Sequence, residues 1–334
     1  MDVTTFKDKD ITFINVKNDK NLEVVLCTFG ASFYKILFKG KNRIMTPVNF
    51  DEFYNNEQYY GKLIGRFSGR IDNAKCKISG VEYNLPKNWN NINSLHGGDK
   101  GISFSNFNYE VRYQDETIDV IFKYIEKESY LPGDISYKII YHIYKNKDLI
   151  RLDIDAVSNK ETICNITNHA YFTLSSGKNL VLDENLELAC SHYSDLDENL
   201  IMKEIKEVDE VMDFRIPHKI GDFINDSYLQ EHTSSGYDHF FVKANLDHDF
   251  IARLTDLDEN ISLTINTSYP CVVVYTDNYP TNMEFDTVQH ENKYQAIALE
   301  CQYVPNEINM DSTKTLKPFK EYREYIEYLF EVIK

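Results

Sequence analysis

Two segments of the chain carry side chains that exchange protons near neutral pH. The first is Thr167–Phe172, in which His169 lies between an asparagine and aromatic residues, directly after an apolar alternating stretch. The second is Leu299–Gln302, in which Glu300 closes the apolar run Ala296–Leu299. An imidazole titrates at about pH 6.5 and a glutamate carboxyl at about pH 4.3. Such a pair can supply a general acid and a general base.

Each of these two residues also has a structural explanation. A histidine at the end of a strand can be a hydrogen-bonded core residue, and a glutamate there can lie on the rim of a sheet. Because burying an unpaired charge is costly, Glu300 must be partnered or functional if it is buried. Taken one at a time, the two residues leave both explanations open.

Three further segments carry candidate ligand-binding side chains. Gly65–Ile71 holds two arginines four residues apart, and a planar guanidinium can bind several sugar oxygens. In Leu95–Gly98, paired glycines permit a close approach of a ligand, to which His96 could donate. Gly236–His239 adds the carboxylate of Asp238. A surface arginine, a structural loop histidine and a turn-capping aspartate are the alternatives.

The sequence carries no pattern for a metal or an organic cofactor. Its nine histidines are dispersed, and neither an HExxH motif nor a Cys/His pair spacing occurs. No GxGxxG follows a strand pattern, and neither a GxxxxGK[ST] loop nor a GxSxG motif is present. We therefore expect no metal and no cofactor.

The charge balance argues against polyanionic partners. The formal net charge is -17, from 53 acidic and 36 basic residues, which opposes binding to nucleic acid or to an anionic membrane. A local Arg or Lys can still hold one phosphate. No run of about 18 apolar residues and no signal peptide are present. Six scattered cysteines without a CxxC pair favour reduced, mostly buried thiols in a cytoplasmic protein.

Period-two alternation, rich in β-branched and aromatic residues, predicts many short strands and an all-β sandwich or barrel. The predicted strands are Ile11–Val16, Leu22–Phe29, Ser32–Phe38, Tyr109–Tyr113, Thr117–Tyr124, Tyr137–Tyr144, Leu149–Ala156, Ile261–Thr267, Cys271–Thr276 and Gln295–Glu300. The polar stretch Ser191–Gln230 is interpreted as long loops with short elements. Phe319–Ile333 fits a helix and a strand equally. No linker divides the chain, so residues 1–334 are expected to form one domain.

In this order, the five segments resemble the aldose 1-epimerase (galactose mutarotase) family. The resemblance spans nearly the whole chain. It begins at Phe29–Ser32, includes Leu131–Gly133 before a strand pair, and ends at Pro305–Asn309. Each motif alone is weak, but five in family order across about 240 residues are specific.

The resemblance implies a large antiparallel β-sandwich, the galactose-mutarotase-like supersandwich, with a sugar cleft on one concave face. It implies an enzyme that interconverts the α and β anomers of free hexoses, with His169 as the acid and Glu300 as the base. Arg70, His96 and Asp238 fall on the family's substrate contacts. The expected partner is a small-molecule sugar, and the expected assembly is a monomer or a homodimer.

Three positions depart from the family pattern. The family usually has Asn where this chain has Gly69, Gln where it has Val273, and Trp where it has Phe107. The first two changes remove polar sugar contacts, so we expect weak discrimination between glucose and galactose. None of the three removes a proton-transfer group.

The ordinary pKa values assign a charge to each partner. Glu300 should be anionic at neutral pH, and a negative neighbourhood should keep His169 protonated. Two other functions stay open. Extra basic residues lining the cleft would favour a mutarotase of phosphorylated hexoses, and a sugar-binding module would not need the His169–Glu300 pair. A glycosidase is disfavoured, because it usually needs two carboxylates flanking the bond.

Overall fold

The computed structural model describes residues 2–244, 248–310 and 314–333. Within these ranges the chain is built almost entirely from strands. The first half contains β1 (Asp2–Asp8), β2 (Ile11–Lys17), β3 (Leu22–Cys27), β4 (Ser32–Phe38), β5 (Lys41–Asn42), β6 (Leu63–Ile64), β7 (Arg70–Ile71), β8 (Lys75–Ile78), β9 (Val81–Asn84), β10 (Ser94–Leu95), β11 (Asn108–Tyr113), β12 (Thr117–Glu126), β13 (Ile135–Tyr144) and β14 (Leu149–Ser158). The second half contains β15 (Thr167–Asn168), β16 (Tyr171–Phe172), β17 (Asn185–Leu188), β18 (Cys190–Leu196), β19 (Met202–Glu207), β20 (His218–Lys219), β21 (Asp238–Lys243), β22 (Ala252–Asp256), β23 (Ile261–Thr267), β24 (Cys271–Tyr275), β25 (Ile297–Gln302) and β26 (Glu321–Val332).

Helices are short and connect the strands. The two α-helices are α1 (Phe50–Asn55) and α2 (Ser227–His232). The 3₁₀ turns are Asp72–Ala74, Gly98–Lys100, Ile102–Phe104, Val181–Asp183, Ile220–Phe223 and Glu307–Asn309. None of the described helices has the length and apolar content needed to cross a membrane. All six cysteines are free and buried.

The strands form three large antiparallel sheets. β1 to β5 form one sheet in chain order. A nine-stranded sheet has the order β11-β12-β13-β14-β26-β23-β22-β17-β20, and a six-stranded sheet has the order β16-β25-β24-β21-β18-β19. Three strand pairs, β10-β7, β15-β6 and β8-β9, flank them. The prediction of an all-β fold with a large antiparallel β-sandwich is confirmed.

The six-stranded sheet separates the hydrophobic core from the functional face. Successive side chains of a strand point to opposite faces of the sheet. Val272, Val274 and Leu299 belong to the main core, which also contains side chains of the other two large sheets. Val273 and Glu300 alternate with them and face away from that core, where they line a cleft. The shared core supports the single-domain assignment of residues 1–334, which stays a prediction.

Two segments differ from or refine the expectations. The stretch interpreted as long loops contains β18 and β19, which pair antiparallel at the edge of the six-stranded sheet. These two strands are short elements of the kind expected in this stretch, but the sequence did not indicate their positions. β19 escaped detection because its residues are almost entirely exposed, so it shows no apolar alternation. The ambiguous C-terminal stretch is a strand, β26, in the interior of the nine-stranded sheet between β14 and β23.

The first arginine of the Gly65–Ile71 segment belongs to the scaffold. Arg66 is buried and donates from Nη1 to the carbonyl oxygens of Pro132 and Gly133 at 3.0 and 3.1 Å. Its Nε donates to Glu126 at 3.1 Å. These hydrogen bonds connect the Leu131–Gly133 turn to the segment that precedes Arg70.

Candidate active site

His169 lies in the short link between β15 and β16, and its backbone is fixed on both sides. Its N–H donates to the carbonyl oxygen of Lys62 at 2.9 Å, and its carbonyl oxygen accepts from Gly61 at the same distance. Its ring lies between two tyrosines, at 4.9 Å from Tyr171 and 6.2 Å from Tyr59 between ring centroids, with interplanar angles of 27° and 28°. These contacts fix the plane of the imidazole before any ligand arrives.

Glu300 lies within β25, on the face opposite to the core, and is 3% exposed. One carboxylate oxygen, Oε1, is 3.5 Å from Nε2 of His169. The other oxygen, Oε2, and Nδ1 of His169 have no hydrogen-bond partner among the described residues. The two side chains are therefore neighbours, and each keeps bonding capacity for a ligand.

Burial sets the protonation of this pair. It lowers the pKa of the His169 imidazole to about 3. It raises the pKa of the Glu300 carboxyl to about 8, an effect to which the charge of Asp238 adds and which Arg70 opposes. Desolvation disfavours both charged forms. At neutral pH in the free protein the pair therefore holds one proton, on Glu300. The expectation of an anionic Glu300 beside a protonated His169 is reversed.

His96 is oriented as a hydrogen-bond donor. The N–H of Gly69 donates to Nδ1 of His96 at 3.2 Å, so in the neutral ring the proton lies on Nε2. The ring is neutral because burial, together with the charge of Arg70, lowers its pKa well below the ordinary value. A neutral imidazole fixed in this tautomer can donate to an oxygen of a ligand.

Arg70 and Asp238 form an ion pair at the rim of the same cleft. Nη2 of Arg70 donates to Oδ2 of Asp238 at 2.9 Å. The guanidinium lies over the ring of Trp89, with 4.6 Å between Cζ and the ring centroid. Nε of Arg70 has no partner among the described residues, although it is buried. The pair thus presents a rigid set of donors and acceptors for hydroxyl groups.

At Gly69 and Gly97, near His96, the backbone conformation and the neighbouring atoms leave no room for a larger residue. Gly69 has φ +72°, and a Cβ atom at this position would lie 2.7 Å from Cβ of Pro305. Gly97 has φ +78°, and its Cβ would lie 2.1 Å from the carbonyl oxygen of Gly65. An asparagine at position 69 could therefore not be added without moving Pro305.

The five predicted site residues lie together. His96, His169, Glu300, Arg70 and Asp238 all line one cleft of about 500 Å³. Arg70 is the one Lys or Arg side chain that the described part of the chain contributes to its lining. The lining therefore lacks, among the described residues, the extra basic side chains that would favour a mutarotase of phosphorylated hexoses.

Sequence reasoning missed three side chains that line the cleft. Gln302 is fully buried, and neither atom of its amide has a partner among the described residues. It lies two residues after Glu300, so period-two alternation could have placed it on the same face. Tyr59 and Trp89 lie in irregular segments and carried no such signal. Phe107 packs against Tyr124 in the core, and Phe104 lines the cleft instead.

Metal binding has one candidate set among the described residues. His96, His169 and Glu300 each offer an atom, and these atoms lie within 4.8 Å of one another. His96 would have to lose the proton on Nε2 or its hydrogen bond with Gly69 to become a ligand. The prediction of a metal-free site stays a prediction, and the His96 tautomer favours it.

The fold and the cleft thus define a β-sandwich protein with a buried histidine–glutamate pair among side chains that can bind hydroxyl groups. Residues 12–329 match the model of the aldose 1-epimerase family. An aldose 1-epimerase of Streptococcus thermophilus is 30% identical over 315 residues, which cover 90% of this chain and 88% of that protein. The galactose mutarotase of Homo sapiens is 27% identical over 302 residues, with coverages of 86% and 84%.

A solved structure gives the same result. The galactose 1-epimerase of Lactobacillus acidophilus is 26% identical and matches with a TM-score of 0.89, covering 100% of this chain and 99% of that chain. This chain belongs to the aldose 1-epimerase family.

The shifted acidity of Glu300 can be measured directly. With carbon-13-labelled glutamate side chains, two carboxyl resonances should titrate at about pH 8, and the one that is absent in Glu300→Gln belongs to Glu300, whose ionisation burial opposes. Glu184, whose pKa burial also raises to about 8, supplies the internal reference, since its resonance should persist in the variant. A Glu300 resonance that titrates at about pH 4.3, the ordinary value, would contradict the assignment.

Proposed function

We propose that this protein is an aldose 1-epimerase that interconverts the α and β anomers of free hexoses. The observation that carries the proposal is the buried His169–Glu300 pair, 3.5 Å apart, with unused bonding capacity on both partners. A sugar-binding module without catalysis would not need this pair. Burying two ionisable groups costs stability and shifts their pKa values in opposite directions. A role in acid–base catalysis explains why both groups are nevertheless buried.

The reaction needs one base and one acid. Glu300 takes the proton from the C1 hydroxyl, and the O1–H electron pair becomes the second bond of the aldehyde. The C1–O5 bond breaks, and O5 takes its electron pair together with the proton that His169 gives. After rotation about C1–C2, O5 attacks the other face of the aldehyde, and both protons return. Atoms, charge and protons balance without a cofactor.

The electrostatics of the cleft favour the ring-open state. Before ring opening the pair must be ionised, with a carboxylate at Glu300 and an imidazolium at His169. Transfer of the two protons leaves a carboxylic acid and a neutral imidazole. That is the arrangement that burial favours in the free protein. Ring opening therefore removes two buried charges, and a dry site lowers the energy of that step.

The other three residues hold the sugar. His96 donates from Nε2, and the Arg70–Asp238 pair offers both donors and an acceptor to hydroxyl groups. All five side chains come from one chain, so the site is complete in a monomer and in a homodimer alike. We further infer a cytoplasmic location, which the six free, buried cysteines support.

Polarimetry tests the proposal. The purified protein should accelerate the change in optical rotation of freshly dissolved α-glucose or α-galactose, and a chelator should leave the rate unchanged because no step uses a metal. Uncatalysed mutarotation in the same buffer is the baseline. If no free aldose equilibrates faster than this baseline, the protein is not an aldose 1-epimerase.

Substitutions separate the proton-transfer pair from the binding residues. Glu300→Gln and His169→Asn should each lower kcat by about 10²–10⁴-fold, the usual contribution of a general acid or base. Arg70→Ala, His96→Ala and Asp238→Ala should act mainly through KM.

Circular dichroism controls for folding in all five variants. Near-normal kcat in a folded Glu300→Gln variant would show that another group is the base, and the mechanism would have to be abandoned.

A further inference from the structure

The floor of the cleft beside Glu300 is apolar. In the antiparallel register Glu300 lies opposite Val273, and Val273 lies opposite Phe240 on the next strand. Directly opposed residues in adjacent strands point to the same face, so all three side chains form one row across the cleft. Leu196 and Met202, an opposed pair of the β18–β19 hairpin, line the cleft beyond them.

A bound sugar has to cover this row. The reacting atoms must lie at Glu300, on β25, and the hydroxyl contacts of Asp238 lie two strands away, on β21. Adjacent strands are about 4.8 Å apart, so these two strands are separated by about 10 Å. A ring that reaches from Glu300 towards Asp238 therefore lies over the strand between them, which presents Val273 opposite Glu300 and Tyr275 opposite Asp238.

The row offers no polar group to a hydroxyl. The side chains of Val273 and Phe240 are hydrocarbon, and their backbone lies in paired strands. The hydroxyl of Ser194, which accepts from the N–H of Phe240 at 3.1 Å, lies beyond Phe240 and outside the row. A sugar hydroxyl pressed against this surface gives up its hydrogen bonds to water without replacement, which is unfavourable.

We propose that the site selects deoxy sugars, aldoses in which a CH₂ or CH₃ group replaces one alcohol carbon on the side that faces Val273 and Phe240. The inference rests on the proposed function, because the reacting atoms orient the ring. A methylene or methyl group in this position keeps its apolar contact and leaves no unsatisfied hydroxyl. Apolar pockets reject an added hydroxyl only modestly, by up to about 10²-fold, so the preference is graded and not absolute.

Relative kcat/KM values from polarimetry test this selectivity. Glucose is compared with its 2-deoxy, 3-deoxy, 4-deoxy and 6-deoxy derivatives. At least one derivative should exceed glucose in kcat/KM by about tenfold, within the range that an apolar pocket provides. The position of the missing hydroxyl then identifies which sugar carbon lies over Val273.

Two variants connect the preference with the apolar row. Val273→Gln adds an amide to the floor, and Phe240→Tyr adds a hydroxyl there if the first variant fails to fold. Either should bring the ratio of deoxy sugar to glucose close to one. Val81→Gln is the matched control, because Val81 is exposed on β9 and does not belong to the cleft lining. It should leave the ratio unchanged.

The outcomes are distinguishable. A ratio below about threefold for every deoxy derivative, less than 1 kcal/mol by the usual conversion, overturns the inference while glucose turnover still supports the epimerase function. An unchanged ratio in folded Val273→Gln or Phe240→Tyr, or an equal change in Val81→Gln, overturns it too. Failure to accelerate galactose as well as these five sugars overturns the proposed function itself.

Discussion

The exclusion of water from the His169–Glu300 pair is the constraint on which the site depends. In water at neutral pH the carboxyl would be ionised and the imidazole mostly neutral, and a proton shared by the two groups would prefer the imidazole. In the buried cleft their acidities are inverted, to about 3 for the imidazole and about 8 for the carboxyl. The ionised pair, a carboxylate beside an imidazolium, is then high in energy. When Glu300 takes a proton from the sugar and His169 gives one to it, both groups become uncharged.

The packing around the His169–Glu300 pair excludes water and holds both side chains in place. The alternation of β25 places Leu299 and Cys301 in the core and Glu300 in the cleft, so the carboxyl cannot leave the sheet face without disrupting the core. On the other side, Tyr59 and Tyr171 enclose the His169 ring, and backbone hydrogen bonds fix its residue. Desolvation and positioning thus come from the same packing.

Local patterns predicted much of this structure but not its electrostatics. Strands with one apolar face, such as Ser32–Phe38 and Ile261–Thr267, follow from alternation and match the structure. Met202–Glu207 does not, because its side chains are almost entirely exposed. The site residues were predicted through the order of five motifs. The inverted acidities could not be predicted, because they depend on burial by side chains distant in sequence, including Tyr59.

The most direct test of a single shared proton is the pH dependence of kcat/KM, which reports the free protein. Because the pair holds one proton between about pH 3 and about pH 8, kcat/KM for mutarotation should stay level through pH 6.5. It should fall above about pH 8, as Glu300 loses that proton. A profile that declines through pH 6.5, the ordinary imidazole value, would contradict the account.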